Sequence, residues 1–326
     1  MIGADRAPSE IEREARADTP EQARRRAGLR VVVAAAYLFV AARLGTSGVA
    51  HAVLAVVFVA LPVTIPPVGR ILLCALPFAA FAAIYDLLRL ARPFVAESGV
   101  HVRWPYQLDK WAFGLPLDRG SVSMNELFAT HHWAAVDFIT GLSYLSYIYA
   151  VLGFAAFMAF IDRSAAGWRR ARALGWSFFA TNLGATLIYL LCPVAPPWYV
   201  ATRGFGPVDP NTAASPAALA RWDALVGVPY FEHFYAHASD VFGAMPSMHC
   251  AYPMLLLLYA RDLGRPRLRA ALIAFQVLMC FSAVYLQHHY VSDVLAGMLC
   301  AWLGHRIERW FSARGRGTPL TSGAPA

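Results

Sequence analysis

Charge is what this 326-residue chain has least of. Asp, Glu, Lys and Arg make up 15% of its residues, where an average soluble domain carries about 25%. So little charge cannot cover the surface of a soluble protein of this length. Hydrophobic residues make up 58%, and mean hydropathy is +0.47. They fall in long runs, which points to a multi-span membrane protein and away from a large soluble core. Paired cysteines are lacking too. Cys74, Cys192, Cys250, Cys280 and Cys300 are odd in number, sit in apolar segments and show no ligand spacing. They read as buried thiols acting as small hydrophobes, not as a disulfide framework. No basic patch interleaves with aromatics, so the net charge of +8 does not indicate a nucleic-acid partner.

A span needs about 20 mostly apolar residues, because the hydrocarbon core is about 30 Å thick. The candidate spans are 29–44, 48–64, 70–89, 137–162, 173–193, 247–262, 267–287 and 290–307. Residues 1–28 form a charged N-terminal segment. The apolar runs after Arg30 are too many for a cleavable signal. The stretch 29–66 holds two N-terminal spans, 67–310 the main transmembrane domain, and 311–326 a Gly-, Ser- and Pro-rich tail expected to be disordered.

Eight spans put both termini on one side. That side receives 20 of the 28 Lys and Arg residues, while acidic residues show no such bias. The positive-inside rule makes it the cytoplasm. The long loops 90–136 and 194–246 then face outward. They carry VRWPYQLDKWAFG and CPVAPPWYV, clusters of Trp, Tyr and Pro. Such clusters fit either an interfacial aromatic belt or a rim over a lipid headgroup site. Residues Ala217–Leu225 fit a short interfacial helix.

Three ionisable side chains stand at helix mouths. His249 follows a proline in FGAMPSMHCAYP, and His289 and Asp293 lie in YLQHHYVSDVLAG. The span parity places all three on the outer side. The spacing of four puts His289 and Asp293 on one helical face. Asp293 is then expected to accept a hydrogen bond from one nitrogen of His289, which fixes the tautomer and sharpens the other nitrogen as a nucleophile for phosphorus. His249 is placed to protonate the leaving oxygen and to deprotonate the incoming alcohol. Arg89 and Arg92, at the outer end of the third run, are candidate phosphate clamps. His288 cannot share the face of His289 on a helix and reads as a rim residue or hydrogen-bond donor. A lone histidine at a helix end is as readily a satisfied polar group, but three such groups at one mouth are harder to explain that way. HHxxxD is not a strong zinc spacing, and neither a Cys pair nor HExxH occurs, so no metal is expected.

These motifs resemble the type-2 phosphatidic acid phosphatase superfamily, and within it the branch of the fungal inositol phosphorylceramide synthases. Pro246-Ser247-Met248-His249 is similar to its PSGH-like motif, with Met where phosphatases have Gly. His289-Tyr290-Val291-Ser292-Asp293 matches its His-x3-Asp motif. Gly243, His288–Tyr290, Cys192–Tyr199 and the segment Tyr85–Arg89 add to the likeness, which covers about residues 80–305. The resemblance implies an all-α integral membrane fold with a six-helix core, to which the two N-terminal spans are additions. It implies an extracytoplasmic site without cofactor, with His289 as nucleophile, Asp293 as its partner and His249 as acid/base. Arg89, Arg92, Asp109, Tyr199 and His288 are the expected phosphate and headgroup residues.

The chain departs from the phosphatase pattern where that pattern has Ser-Arg before the nucleophile. Here Ser282-Ala283 stand there, and the Lys-x6-Arg-Pro element retains only Arg92-Pro93. Fewer cations suit a phosphodiester monoanion better than a monoester dianion. The expectation is therefore a lipid phosphotransferase that moves an inositol phosphate-like headgroup to a lipid or sugar-lipid hydroxyl. The donor would be a phospholipid or lipid-linked phosphate. The alternatives are a lipid or polyprenyl phosphate phosphatase and a transporter, though the repeats and broken helices of a transporter are not evident. A plasma-membrane protein with cytoplasmic termini is expected, and the Ala-, Arg- and Gly-rich composition suggests a bacterial source. If the chemistry needs no metal, turnover persists in excess EDTA. Loss of activity in EDTA, restored by one divalent ion, would sink that expectation.

Overall fold

The computed structural model describes residues 66–87, 99–117, 120–161, 165–209, 212–236 and 241–316, with isolated helical positions between 24 and 56. The two N-terminal spans and the final tail residues lie outside the described residues. Helix α1 runs Pro66–Leu87. The first of the two segments expected to face outward, the outer segments, folds as α2 (Arg103–Phe113), a hairpin of β1 (Leu115–Leu117) and β2 (Gly120–Val122), and α3 (Met124–Thr130). Next come α4 (Ala134–Ala156), continued by a π-helical turn at Phe157–Ile161, and α5 (Ala165–Leu191). The second outer segment carries α6 (Pro197–Arg203), α7 (Leu219–Val226) and α8 (Tyr230–Ala236). The chain ends in α9 (Met248–Ala260), α10 (Pro266–Tyr285) and α11 (Val291–Arg316).

The fold is an all-helical membrane bundle of α1, α4, α5, α9, α10 and α11. Ala134–Ile161, Ala166–Leu191 and Pro266–Tyr285 are long and apolar enough to cross a bilayer. Large apolar side chains such as Ile139, Leu142, Leu187 and Val277 point outward from them, as a lipid-facing surface requires. Helix α11 packs against α5 and α9, α9 also against α10 and α4, and α1 against α5. The core between them holds Met158, Leu174, Leu255, Leu256 and Ala301.

Helix bounds differ from the apolar runs at charged ends. Helix α5 starts at Ala165, eight residues before the run at 173, because Trp168, Arg169, Arg170 and Arg172 continue the helix. Helix α11 runs past 307 and six residues into the expected disordered tail through the same effect. A hydropathy run marks the part of a helix that lipid tolerates, whereas Arg and Glu are good helix formers beyond it. The expected interfacial helix at Ala217–Leu225 forms as α7. Its Leu219 and Trp222 are buried, and Trp222 packs over Gly141 of α4.

Lipid tails supply no hydrophobic force between helices, so close backbone approach and buried hydrogen bonds do the joining. Tyr259 Oη lies 2.9 Å from Ser177 Oγ and donates to Glu308 at 3.2 Å. Tyr252 donates to Asn182 Oδ1 at 2.7 Å. The tightest approach is at Gly297 of α11, where a Cβ would lie 2.1 Å from the carbonyl oxygen of Ser247. That contact seats the N-terminus of α9 against α11. Gly297→Ala is expected to lower stability by about 1–3 kcal/mol and to reduce activity, read as a lower Tm in detergent and slower turnover. An unchanged Tm and rate would show that the two helices are not held this closely.

Candidate active site

Four chain ends meet at one end of the bundle: the C-termini of α5 and α10 and the N-termini of α9 and α11. The two outer segments join over them. Val194 bridges in parallel to His101 on one side and to Gly243 on the other. Val194 N donates to the Phe242 carbonyl at 2.7 Å, and Ala195 N to the His101 carbonyl at 3.0 Å. This backbone patch fixes Ala244, whose carbonyl faces His289.

His289 lies in the turn between α10 and α11. The amides of His288 and His289 both donate to the Ala283 carbonyl, at 3.3 and 3.1 Å. Gln287 takes a positive φ of 69° to make that turn. Asn125 of α3 donates to the carbonyls of Val284 (2.9 Å) and His289 (3.1 Å), and Gln287 Nε2 donates to the Asn125 carbonyl at 2.9 Å. Helix α3 is itself fixed by a capping box between Ser123 and Glu126. Trp198 N of α6 donates to the Gln287 carbonyl at 3.1 Å.

The tautomers follow from these partners. His289 Nδ1 lies 2.8 Å from the Ala244 carbonyl oxygen. A carbonyl only accepts, so Nδ1 carries the proton and Nε2 the lone pair. Nε2 lies 3.3 Å from His249 Nδ1, which is therefore the donor in that pair. Burial pushes the His289 imidazole down to about 4, against the opposing effect of the Ala244 carbonyl. The ring is thus neutral at neutral pH, with a free nitrogen facing the acid/base candidate. His249 stacks on Tyr144 (3.8 Å between centroids) and meets Tyr147 at a tilt of 37° (4.2 Å), both from α4.

The histidines open into a cavity of about 650 Å³. It runs past Tyr144, Tyr147 and Leu152 of α4, Phe78, Phe81 and Tyr85 of α1, and Asn182 and Tyr189 of α5. Helices α1 and α4 both line it, yet α1 packs on α5 and makes no comparable contact with α4. Among the described residues no Lys or Arg lines it. No group of three or more His, Cys, Asp or Glu among them is placed to hold a metal ion.

Several expected roles change. Asp293 does not take the Nδ1 hydrogen bond: its nearest oxygen is 3.9 Å away, and Ala244 holds the proton instead. Helix α11 starts at Val291, so His289 precedes it and the one-face argument fails. Asp293 Oδ2 accepts from Tyr290 N at 2.8 Å, and its carbonyl accepts from Ser247 N at 2.9 Å. The aspartate thus ties both histidine-bearing segments together. His288 is buried, not on a rim. It stacks on Tyr144 and Tyr235, and its Nε2 donates to the Pro216 carbonyl at 3.1 Å. Because the segment is a turn and not a helix, both histidines reach the cavity. Tyr199 is packed against Phe242, its hydroxyl accepting from Asp209 N at 3.4 Å, and does not line the cavity. Asp109 does not line it either. Its Oδ1 accepts from Ser292 N at 3.0 Å, docking α2 onto the start of α11. Burial raises its carboxyl, opposed by the Ser292 hydrogen bonds. Arg89 and Arg92 lie outside the described residues. Ala244, Asn125, Tyr144 and Tyr147 were not expected from the sequence. The Ser-x-x-Glu pattern at 123–126 was the one available signal, and it marks only the cap of α3.

A helical membrane bundle that opens an apolar cavity onto paired imidazoles defines an integral membrane enzyme of phosphate-ester chemistry. The comparisons name the family. Residues 117–307 match the PAP2 superfamily, and the chain belongs to it. The matched stretch contains His249, His289 and Asp293 and excludes Arg89, Arg92 and Asp109. The chain is 34% identical over 278 residues to a phosphoinositol dihydroceramide synthase of Bacteroides thetaiotaomicron, covering 84% of this chain and 88% of that protein. It is 35% identical over 131 residues to the inositol phosphorylceramide synthase catalytic subunit of Schizosaccharomyces pombe, 40% of this chain and 30% of that one. With the inositol phosphorylceramide synthase of Candida albicans it shares 33% over 128 residues, 39% of this chain and 27% of that one. No solved structure matches the chain.

The geometry gives Asp109 a hydrogen bond to Ser292 and no place in the cavity lining. Asp109→Ala leaves a buried N–H without its acceptor, at about 1–3 kcal/mol. It is expected to lower kcat about tenfold or more with little change in KM, while Asp109→Asn, which keeps an acceptor oxygen, restores most of the rate. A rise in KM in the Asn variant at unchanged kcat would return Asp109 to headgroup binding.

Proposed function

We propose that this enzyme is a lipid phosphotransferase. It moves a phosphate-linked polyol, inositol phosphate in type, from a phospholipid to the hydroxyl of a ceramide-type acceptor. The observation that carries the reading is the locked tautomer of His289, whose free Nε2 meets His249 at the end of an aromatic cavity. The likeness to the Bacteroides synthase over most of both chains supports the choice of donor and acceptor. The departure from the phosphatase pattern, with Ala283 where that pattern has Arg, supports a monoanionic diester over a dianionic monoester.

In the reaction His249 enters doubly protonated, balanced by the bound phosphodiester. His289 Nε2 attacks phosphorus, the bond from phosphorus to the diacylglycerol oxygen breaks, and His249 gives that oxygen its proton. The acceptor hydroxyl then loses its proton to His249 and attacks phosphorus. The bond to Nε2 breaks, and both histidines return to their starting states. The side of the cavity lined by α1 and α4 is the path this reading assigns to lipid substrates. The distribution of Lys and Arg supports cytoplasmic termini and an extracytoplasmic site, in the plasma membrane.

The test uses the purified protein with an inositol phospholipid labelled in its phosphate, with and without dihydroceramide. Labelled inositol phosphorylceramide and diacylglycerol should form together, and His289→Ala should lower the rate about a thousandfold or more. An active His289→Ala protein would remove the nucleophile. Release of water-soluble phosphate at the same rate without acceptor would make the enzyme a hydrolase.

A further inference from the structure

The His249 imidazole is held by a clamp of rings. Tyr144 lies against it at 3.8 Å with planes 18° apart, and Tyr147 at 4.2 Å with planes 37° apart. The two tyrosines are three residues apart on α4 and so share one helical face. Each is backed in turn. Tyr147 stacks on Tyr252 at 5.5 Å and 10°. Tyr252 is pinned by its hydrogen bond to Asn182 and by Phe178 at 4.8 Å. Tyr144 also stacks on His288 at 5.2 Å, and His288 on Tyr235 at 4.9 Å. Among the described residues His249 has one ring hydrogen bond, to His289 at 3.3 Å, and that bond must open when a phosphate enters between the two rings. Among the described residues no hydrogen bond from α9 then holds the imidazole within the rotamers its helix allows. The tyrosines do, because a ring stacked on Tyr144 and met at a tilt by Tyr147 keeps its plane while its edge exchanges partners. Aromatic faces also carry negative charge density, so they suit the doubly protonated ring that must meet the leaving oxygen.

We propose that Tyr144 and Tyr147 are positioning residues for general-acid catalysis, holding the plane of His249 so that its Nδ1–H points at the leaving oxygen. This rests on the reading of His289 as nucleophile and His249 as acid. A leaving group that departs without a proton has no need of the clamp, and that separates alignment from packing or binding.

The experiment compares two donors in single turnover at saturating concentration, with the full-length protein. One is an inositol phospholipid, whose alkoxide must be protonated. The other is the p-nitrophenyl ester of inositol phosphate, whose phenolate leaves unaided. Tyr147→Leu and Tyr144→Leu are expected to slow cleavage of the lipid donor about a hundredfold and cleavage of the aryl donor by a small fraction of that, the same pattern as His249→Ala. Tyr147→Phe and Tyr144→Phe, which keep the ring, should recover most of the lipid rate. Equal losses on both donors, a change confined to KM, or failure of Phe to rescue would overturn the proposal. Tyr147 is less buried than Tyr144, so Tyr147→Leu carries the test if Tyr144→Leu does not fold. His289→Ala should be inactive on both donors. If it is active, the underlying nucleophile assignment fails, whatever the tyrosine variants do.

Discussion

A single hydrogen bond, from His289 Nδ1 to the carbonyl of Ala244, orders the chemistry of this site. A histidine offers either nitrogen as donor, and only its partner decides which. A carboxylate at Nδ1 would also leave Nε2 free, and Asp293 Oδ2 lies 3.9 Å from that nitrogen, but the hydrogen bond goes to the nearer carbonyl. The carbonyl fixes the same tautomer with a dipole. Its cost is positional, because a backbone atom must be brought to the ring from 45 residues earlier in the chain. The bridges of Val194 to His101 and Gly243 meet that need by joining both outer segments through main-chain hydrogen bonds. The outer segments are therefore part of the catalytic geometry, not a cover laid over it.

The same economy governs the turn that carries His289. A turn between two helices leaves carbonyls and amides without intrahelical partners, and here they are buried. Asn125, Asp109 and Asp293 supply missing partners from three different elements, and Gln287 ties the turn back to α3 through the Asn125 carbonyl. Asp293 acts at two points, on the amide of Tyr290 through its side chain and on the amide of Ser247 through its carbonyl. It holds the spacing of the two histidines through the backbone more than through contact with the imidazole.

Much of the fold was legible in the sequence because lipid imposes a simple rule on composition. The runs at 137–162 and 267–287 end within three residues of Ala134–Ile161 and Pro266–Tyr285. Span parity put His249 and His289 at one end, where they meet at 3.3 Å. What escaped was whatever does not depend on residue type. The Ala244 carbonyl would be the same acceptor with any side chain beside it. Tyr144 and Tyr147 sit in an apolar run where aromatic residues read as filling. Asp109 was expected at the headgroup, but its partner, the amide of Ser292, lies 183 residues away. The spacing of His289 and Asp293 misled for a physical reason: the periodicity of a helix applies only after the helix has begun, and α11 begins two residues too late.

The shape of the cavity bears on the choice between water and alcohol as the second nucleophile. Both can attack the same phosphohistidine, and both need the same base. Discrimination must then come from what reaches phosphorus while the first product departs. The lining here is mostly aromatic and aliphatic, with Phe78, Phe81 and Leu152 along α1 and α4. Such a wall gives water few partners and gives a lipid chain continuous contact. An acceptor whose chains lie along that wall brings its hydroxyl to His249 as an intramolecular neighbour would, at an effective concentration that bulk water does not match in an apolar space. On the proposed reading, the feature that makes the chain a transferase is thus not an added group. It is the scarcity of charge among the described lining residues, the same scarcity that marks the composition of the whole chain.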